Sequence, residues 1–382
     1  MIKVLLLCAA LLSYTWIGYG VLLSVLAKFK RVRIAKAPIA PAVTVIVAAR
    51  NEEQNIRARV ENLLLLDYPH ERLEIMIASD GSSDRTAEIV REFSDQDVRL
   101  LEFRESRGRA AVHNDAVKQS RGEILIFTDA ATRFEPSFLL QLVSNFADPR
   151  VGCVSGQITF GSQGASAVTR QRSLYWRYEY WLRHLESSCG ILACASGPCM
   201  AVRKELFRPL SDRSYDVDFM TPLDVIEQDG LVVQEPAAIA FDEMFSAPRQ
   251  EFRAQVRMVS RNLRGYLDRG CLLFEPRKSW FAWSLVSHKI LRWLTPFLLL
   301  SMFAASARLA ARRELVSIWI VQVTFYVAAV VGWLHNKTGH SSSLLSTLFS
   351  TLFSKPFAFC LANIGFFFGV LRCLRRQRIT VY

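Results

Sequence analysis

The sequence lacks several patterns that would assign it to common classes of protein. No Gly-x-Gly-x-x-Gly motif follows the first predicted strand, residues 43–49, which excludes a dinucleotide-dependent oxidoreductase. The eight cysteines include no Cys-x-x-Cys pair, and the evenly spaced Cys189, Cys194 and Cys199 have no nearby histidine. The spacing therefore does not predict a zinc site, and we expect reduced thiols, as in the cytosol. Internal repeats, low-complexity segments and nucleic-acid-binding motifs are also absent.

Charged side chains are missing from residues 4–27, a run long enough to span a bilayer. A secretory signal peptide is the alternative interpretation, but the run is long for one and has no clear small-residue cleavage site. A basic segment follows directly, with Lys28, Lys30, Arg31, Arg33 and Lys36. We therefore predict an uncleaved anchor in the inner membrane, with the following domain on the cytoplasmic side.

The last third of the chain is apolar again and predicts two or three further membrane segments. Residues 315–334 carry no charge and are long enough to span, and residues 356–371 form a shorter candidate. Residues 294–307 are closely bracketed by Arg292 and Arg308, and a stretch this short can be re-entrant or interfacial.

The distribution of positive charge slightly favours three full crossings in total. With three crossings, the basic clusters at residues 308–313 and 372–378 both lie inside, as the positive-inside rule prefers. With four crossings, both clusters lie outside. A stripe of leucine and phenylalanine over residues 344–353 suits an interfacial helix.

The net charge of +12 does not predict a nucleic-acid partner. Lysine and arginine cluster beside the hydrophobic segments, where attraction to anionic lipid is the simpler explanation. We therefore predict contact with the membrane and no contact with nucleic acid.

Polar residues follow three apolar strands that are separated by predicted helices. The strand at 74–79 runs into Asp80, the strand at 123–128 runs into Asp129, and the strand at 43–49 runs into Arg50. Strands alternating with helices predict a doubly wound, mainly parallel α/β sheet. Such sheets bind ligands at the carboxyl ends of neighbouring strands. A site this rich in carboxylates suits a metal and a sugar hydroxyl better than bare phosphate.

Further along the chain, several segments match a known pattern of motifs: residues 43–53, 80–84, 107–114, 128–130, 196–203 and 218–222. Together they resemble the family 2 glycosyltransferases, which have the GT-A fold, and they occur in the family's order. The resemblance extends over about residues 43–270. The flanking apolar segments resemble membrane-bound members related to cellulose, hyaluronan and poly-N-acetylglucosamine synthases.

The resemblance implies two halves of one catalytic domain, which completes the predicted organisation of the chain. The parts are an N-terminal anchor (1–27), a basic linker (28–42), a nucleotide-sugar-binding half (43–150), an acceptor half (151–270) and C-terminal membrane segments (271–382).

The resemblance also implies roles for individual residues. Asp129 would be the first carboxylate of a metal-binding Asp-x-Asp motif for Mg²⁺ or Mn²⁺. Asp218 would be the general base, with Asp216 as a competing candidate, and Arg257 would act on the diphosphate. Ser196 and Gly197 would lie on the acceptor side. The residues expected to bind the nucleotide-sugar are Ala49, Arg50, Glu52, Asp80, Arg109, Asn114 and Asp129.

Structural roles compete with some of these assignments. Asp80 and Asp218 could each cap the helix that follows, and for Asp84 capping is the preferred interpretation. Arg257 belongs to a row of arginines in a predicted basic helix at 250–270 and could instead face solvent or lipid headgroups. The aromatic residues of a predicted helix at 173–186 suit a core or membrane-interface role better than stacking on sugars.

Three departures from the family pattern bear on metal affinity and processivity. Ala131 occupies the second position of the Asp-x-Asp motif, so the metal would have one carboxylate fewer. The tryptophan that follows the arginine in processive members is replaced by Met258, and Val217 stands where an acidic residue often precedes the base.

The sequence therefore predicts an inverting transfer of a sugar, expected from a UDP-sugar, to a saccharide or lipid-linked acceptor. We expect a setting in cell-envelope or exopolysaccharide synthesis, where other subunits of the pathway are possible partners. Two alternatives stay open. One is a processive synthase that also extrudes its product, and the other is a degenerate subunit that binds nucleotide without turnover.

Overall fold

The protein is described by a computed structural model that covers residues 1–160, 167–211, 215–242, 248–269, 275–338 and 344–375. Its centre is an eight-stranded sheet with the strand order β3-β2-β1-β4-β7-β6-β8-β5. The strands are β1 (Val43–Ala49), β2 (Leu73–Asp80), β3 (Val98–Phe103), β4 (Ile124–Thr128), β5 (Arg133–Phe134), β6 (Val151–Phe160), β7 (Met200–Arg203) and β8 (Leu231–Asp242).

The first four strands are all parallel and form the predicted doubly wound half. β1 pairs with β2 on one side and with β4 on the other, so the order of the chain reverses at β1. β7 is antiparallel to both β4 and β6, which makes the second half mixed. The predicted α/β class with a mainly parallel sheet is therefore confirmed, and the β1–β4 reversal is a switch point at which such sheets bind ligands.

Helices cover both faces of the sheet because side chains of successive strand residues point to opposite sides. Val45 and Val47 pack with α3 and α6, whereas Ile46 and Phe127 pack with α5, α8 and α9. The helices of the domain are α3 (Ile56–Leu64), α4 (Thr86–Arg91), α5 (Arg109–Gln119), α6 (Phe138–Val143), α7 (Ala167–Ser188), α8 (Val217–Glu227) and α9 (Pro248–Asp268).

Within the described residues, four helical segments are long and apolar enough to cross a membrane, and the protein is therefore a membrane protein. They are Ile2–Phe29, Pro276–Ala310, Val316–His335 and Leu352–Leu374. The helices within and around them are α1 (Ile2–Ser13), α2 (Tyr19–Phe29), α10 (Ser279–Leu285), α11 (Leu291–Ala310), α12 (Val316–Thr338) and α13 (Leu344–Leu374).

The membrane predictions hold in outline, with one segment longer than expected. The stretch at 294–307 lies in α11, which continues a helical path that starts at Pro276. Side chains 336–351, which include most of the proposed interfacial stripe, lie outside the described residues, as do residues 376–378 of the last basic cluster.

The aromatic helix α7 packs against the first membrane segment. Tyr178 donates a hydrogen bond to the carbonyl of Trp16 (2.8 Å). A Cβ added to Gly20 would lie 2.7 Å from the Trp181 ring, so glycine permits a close helix–helix approach here. Trp176 packs on Tyr180 within the domain. These described aromatic residues therefore have the core and interface role that the sequence analysis preferred.

Candidate active site

The loops that follow β1 and β2 bind each other. The amide of Ser83 donates to Asn51 Oδ1 (2.9 Å), and the amide of Asn51 donates to Ser82 Oγ (3.2 Å). Asn51 and Gly81 both adopt a left-handed backbone, with φ of 55° and 61°. A Cβ on Gly81 would lie 2.5 Å from the amide nitrogen of Ser106, so only glycine fits this turn.

Asp80 is fully buried at the end of β2 and organises a third loop. Its carboxylate accepts hydrogen bonds from the backbone amides of Arg107 (2.6 Å) and Gly108 (3.0 Å) and from Ser106 Oγ (3.0 Å). These donors lie just before α5, the helix after β3, and not at α4, the helix that follows Asp80 in the chain. The carboxylate fixes the loop through which the chain enters α5.

Asp84 has the capping role that the sequence favours. Its carboxylate accepts hydrogen bonds from the amide of Thr86, the first residue of α4 (3.0 Å), and from the amide of Glu53 (3.1 Å). Desolvation opposes ionisation, but the hydrogen bonds from the Thr86 hydroxyl and from backbone amides lower the pKa of Asp84. The charge at the helix N-terminus is favourable.

The remaining nucleotide-site candidates after β1 differ in position. Ala49 is buried at the last position of the strand, opposite Ser79 of β2. Arg50 and Glu52 follow it and are partly exposed, and Glu52 Oε2 accepts a hydrogen bond from the side chain of Asn55 (2.8 Å).

Arg109 and Asp129 form an ion pair at the carboxyl end of β4. Arg109 is the first residue of α5, directly after Gly108, whose φ of 86° favours glycine. Both side chains are 34% exposed, so the pair lies at the surface of the site and can be reached by a ligand. The carboxylate and a guanidinium predicted to act on the donor are therefore adjacent.

Asn114 does not join the other candidates. Its side-chain amide donates to the carbonyl of Leu210 (2.9 Å), and its Oδ1 accepts from the Leu210 amide (2.9 Å). Asn114 thus fastens the segment before α8 to α5, and its predicted contact with the nucleotide stays a prediction without support from these bonds.

Asp218 lies in the first turn of α8 against the Ser196–Gly197 segment. The amide of Gly197 donates to Asp218 Oδ2 (3.2 Å), and the amide of Ala195 donates to the backbone carbonyl of Asp218 (3.2 Å). A Cβ on Gly197 would lie 3.2 Å from Asp218 Oδ2, so glycine allows this approach. Asp216, not Asp218, occupies the position before the helix.

The environment of Asp218 suits a general base. Burial, followed by repulsion from Asp216, raises the pKa of Asp218 from 3.8 to about 6, although Arg109 and Arg183 oppose this rise. The rival carboxylate is held differently, because Asp216 Oδ1 accepts from Arg261 Nη1 at 3.0 Å in an ion pair. A carboxylate with a pKa of about 6 is ionised at neutral pH and can still take up a proton, as a general base must.

Arg257 faces the same region from α9. Burial, followed by repulsion from Arg261, lowers the pKa of Arg257, and Arg109 acts in the same direction. Arg257 is therefore close enough to Arg109 and Asp216 to interact with both. The sequence placed Arg261 in the same arginine row without a role, and its partnership with Asp216 was not evident from spacing alone.

The site as a whole combines one accessible carboxylate, one carboxylate of raised pKa and two guanidinium groups. In the described part of the chain, no three His, Cys, Asp or Glu side chains are grouped to hold a metal ion. Asp129 would thus supply a single protein ligand, because Ala131 has no side-chain oxygen. That number agrees with Mg²⁺ sites built from one or two carboxylates together with substrate phosphates.

Comparisons with known proteins agree with this architecture. Residues 44–210 match the family model described as Glycosyl transferase family 2. An N-acetylglucosaminyltransferase of Rhizobium meliloti is 32% identical over 182 residues, which cover 45% of this chain and 42% of the relative. A poly-β-1,6-N-acetyl-D-glucosamine synthase of Staphylococcus epidermidis is 26% identical over 47% of this chain and 43% of the relative. The chain thus spans less than half the length of these curated relatives.

Among the solved structures that match, a mannosyltransferase aligns with nearly the whole chain. This mannosyltransferase, from Pyrobaculum calidifontis and determined with GDP-mannose and Mn²⁺, has a TM-score of 0.73. The match covers 98% of this chain and 100% of the other, at 22% sequence identity. At this identity the similarity establishes the GT-A fold alone.

Proposed function

We propose that this protein, whose residues 44–210 match the family 2 glycosyltransferase model, transfers a sugar with inversion from a nucleotide-sugar to a saccharide or lipid-linked acceptor at the membrane. One observation carries the proposal. Asp218, a carboxylate with a pKa of about 6, interacts electrostatically with Arg109, and Arg109 pairs with Asp129 at the strand ends of a GT-A domain.

The donor would bind across the ends of β1, β2 and β4. Asp80 would act by holding the loop before α5, which presents Arg109 at the edge of the site. A fixed guanidinium matches phosphate geometry, so Arg109 and Arg257 are suited to the donor's diphosphate. We expect a UDP-sugar, and because the mannosyltransferase neighbour was solved with GDP-mannose, the donor panel must include both nucleotides.

A divalent cation fits the chemistry of the Asp129 site. The partly exposed carboxylate can supply one ligand, and the donor's diphosphate and water can supply the others. When bound, Mg²⁺ or Mn²⁺ would neutralise charge that develops on the leaving nucleotide. The presence of Mn²⁺ in the mannosyltransferase structure supports this class of ion.

Asp218 would activate the acceptor. With a pKa of about 6, its carboxylate is ionised at neutral pH and can accept the proton of an attacking hydroxyl. Arg109 and Arg183 favour the ionised form. A single base and direct displacement of the nucleotide imply inversion at the anomeric carbon.

We further propose that the catalytic domain lies on the cytoplasmic side of the inner membrane, since the basic residues 28–36 follow the first span. The helical segment Pro276–Ala310 runs antiparallel to that span: Tyr19 bonds to Ser284, whereas Leu5 packs on Ala305 and Leu309. Two helical segments that pack along their length share the same depth, which supports a crossing by this segment and hence four crossings in all. The distribution of positive charge in the sequence slightly favours three instead.

A processive synthase is the second candidate, supported by the relatives named poly-β-1,6-N-acetyl-D-glucosamine synthase. The two functions differ in the length of the product, which gel analysis of a labelled product measures. The absence of a second carboxylate at Ala131 favours a third possibility, a subunit that binds nucleotide without turnover.

Release of nucleoside diphosphate by membranes containing the protein tests the proposal. The panel comprises UDP-N-acetylglucosamine, UDP-glucose and GDP-mannose with Mg²⁺ or Mn²⁺, an EDTA control, and saccharide and lipid-linked acceptors. We expect release with one donor, loss of release in Asp218→Asn, and full release in the exposed control Asp67→Asn. Nucleotide binding without release in any condition would overturn the transferase assignment and favour the non-catalytic subunit.

A further inference from the structure

We propose that Arg183 is a positioning residue for Asp218, and that the membrane-spanning part of the chain holds Arg183 in place through Glu179. This inference rests on the proposed function, in which Asp218 is the base. It concerns a buried ionic cluster formed by Glu179, Arg183, His288, Lys289 and Arg292 that the transfer reaction does not itself require.

The first step is the contact between Asp218 and the turn at residues 195–199. Two amides of this turn, those of Ala195 and Gly197, donate to the carbonyl and carboxylate of Asp218. These two amides belong to the residues directly before and directly after Ser196. A shift of Ser196 would therefore move both donors, and with them the carboxylate that must meet the acceptor hydroxyl.

The second step is the support behind the turn. Arg183 Nη1 donates to Ser196 Oγ (2.7 Å), and the Ser196 amide donates to Ser155 Oγ (3.0 Å). Arg183 Nε donates in turn to Glu179 Oε1 (3.0 Å), one helical turn earlier on α7. The side chains of Arg183 and Glu179 are 7% and 2% exposed, so these bonds are shielded from water. Buried charge-assisted hydrogen bonds are strong and directional.

The third step connects Glu179 to the membrane helices. Its Oε2 accepts from Arg292 Nη1 (2.6 Å) on α11 and contacts His288 Nε2 (2.9 Å), and its Oε1 accepts from Lys289 (2.6 Å). His288 Nδ1 also contacts Glu186 (2.8 Å), whose carboxylate accepts from Tyr19 of the first span (2.6 Å). The cluster thus joins α7, the first span and the segment before α11.

The charge balance of this cluster explains why Arg183 cannot adjust freely. Desolvation opposes the ionisation of Glu179, but His288 and Lys289, followed by Arg183 and Arg292, hold its pKa well below the usual range. An ion removed from water is costly unless it keeps its partners. Arg183 is therefore fixed between Glu179 and Ser196, and the position of the turn depends on helices embedded in the membrane.

A purely structural role, in which the cluster only docks α7 onto the spans, makes a different prediction. Loss of docking would lower the amount of folded protein without changing the ionisation of Asp218. A positioning role changes both kcat and pH dependence, because Arg183 also favours the ionised form of Asp218. The other groups acting on Asp218 are Asp216 and Arg109, while Arg257 and Arg261 of α9 act on Asp216.

Four variants separate these roles, measured as nucleoside diphosphate release against pH with the donor that is active in the panel. In Arg183→Gln we expect kcat to fall about 10- to 100-fold, as small displacements of a catalytic group do. In a plot of kcat/KM against pH, the acidic limb is the part in which activity falls as the pH decreases. This limb should move to higher pH, since removing a positive charge raises the pKa of Asp218. Ser196→Ala should lower kcat without moving the limb. Arg183→Lys should restore the position of the limb.

The control is Arg177→Gln, an exposed arginine on the same helix, which should behave like the wild type. Wild-type kcat and an unmoved limb in folded Arg183→Gln would overturn the inference, whereas activity in Asp218→Asn would overturn the base assignment itself. Should Arg183→Gln fail to fold, the inference is decided by Ser196→Ala, which keeps the Arg183–Glu179 pair. Wild-type kcat in folded Ser196→Ala would then refute it.

Discussion

Replacement of Gly197 by alanine tests the geometry of the base directly. The added Cβ would lie 3.2 Å from Oδ2 and 3.3 Å from Cγ of Asp218, closer than nine in ten real Cβ contacts. One of the two groups must therefore move by a few tenths of an ångström. The carboxylate of Asp218 also accepts a hydrogen bond from the Gly197 amide. It should therefore rotate or withdraw, and this hydrogen bond should lengthen.

The expected effect is on catalysis more than on stability. Modest overpacking costs about 1 kcal/mol, whereas displacement of a catalytic group can lower kcat by about 100-fold. Steady-state kinetics of Gly197→Ala should thus show reduced kcat, with little change in the affinity for the nucleotide measured separately. Thermal unfolding of the same preparation measures the accompanying loss of stability.

Gly152→Ala is the matched control. Its Cβ would meet Leu206 Cδ1 and Val225 Cγ1, each at 2.6 Å, so the packing conflict is at least as severe but lies away from Asp218. We expect this variant to lose about 1–3 kcal/mol of stability and to keep the kcat of the folded protein. Wild-type kcat in Gly197→Ala, or equal losses of kcat in both variants, would refute the proposed role of the Gly197 contact.

Three further predictions follow from the hydrogen bonds and pKa values of the site. Because the pKa of Asp218 is raised to about 6, kcat/KM should fall tenfold per pH unit below that value, as a pH–rate profile would measure. Asp84→Ala should cost about 1 kcal/mol in thermal unfolding, since Thr86 loses its cap. Asp80→Asn should weaken nucleotide binding in a titration, because the loop at Gly108 loses charge-assisted bonds; unchanged binding would contradict the loop's role.

Local patterns of the sequence were sufficient for the first half of the domain. Apolar runs ending in Asp80 and Asp129 gave the parallel strands and their common edge because each strand is contiguous. Capping by Asp84 was also predictable, since its main donor, the Thr86 amide, lies only two residues further on. The antiparallel strand β7 was missed, since Met200–Arg203 is only four residues long and follows a glycine segment.

Contacts between distant parts of the chain were not predictable from spacing. Asn114 bonds to Leu210, 96 residues later, and no local pattern of either segment indicates this. In the sequence, Arg183 is a positively charged residue within a predicted aromatic helix. Its partner Glu179 lies four residues earlier, so helical spacing makes the two neighbours but does not indicate that their contact supports the site. The membrane-side partners of Glu179 lie over 100 residues further along the chain.

The charges around Asp129 form a different balance from that of a site with two metal-binding carboxylates. With Ala131 in the second position, one negative charge fewer is available to attract a cation, and Arg109 already pairs with Asp129. Arg109 and Arg257, in contrast, bring two permanent positive charges to the region expected for the diphosphate. Electrostatic stabilisation of a leaving group depends on the total charge aimed at it, whether from a metal or from guanidinium groups. In the proposed reaction, the arginines on α5 and α9 would therefore offset part of what the missing carboxylate would contribute through a more tightly held metal.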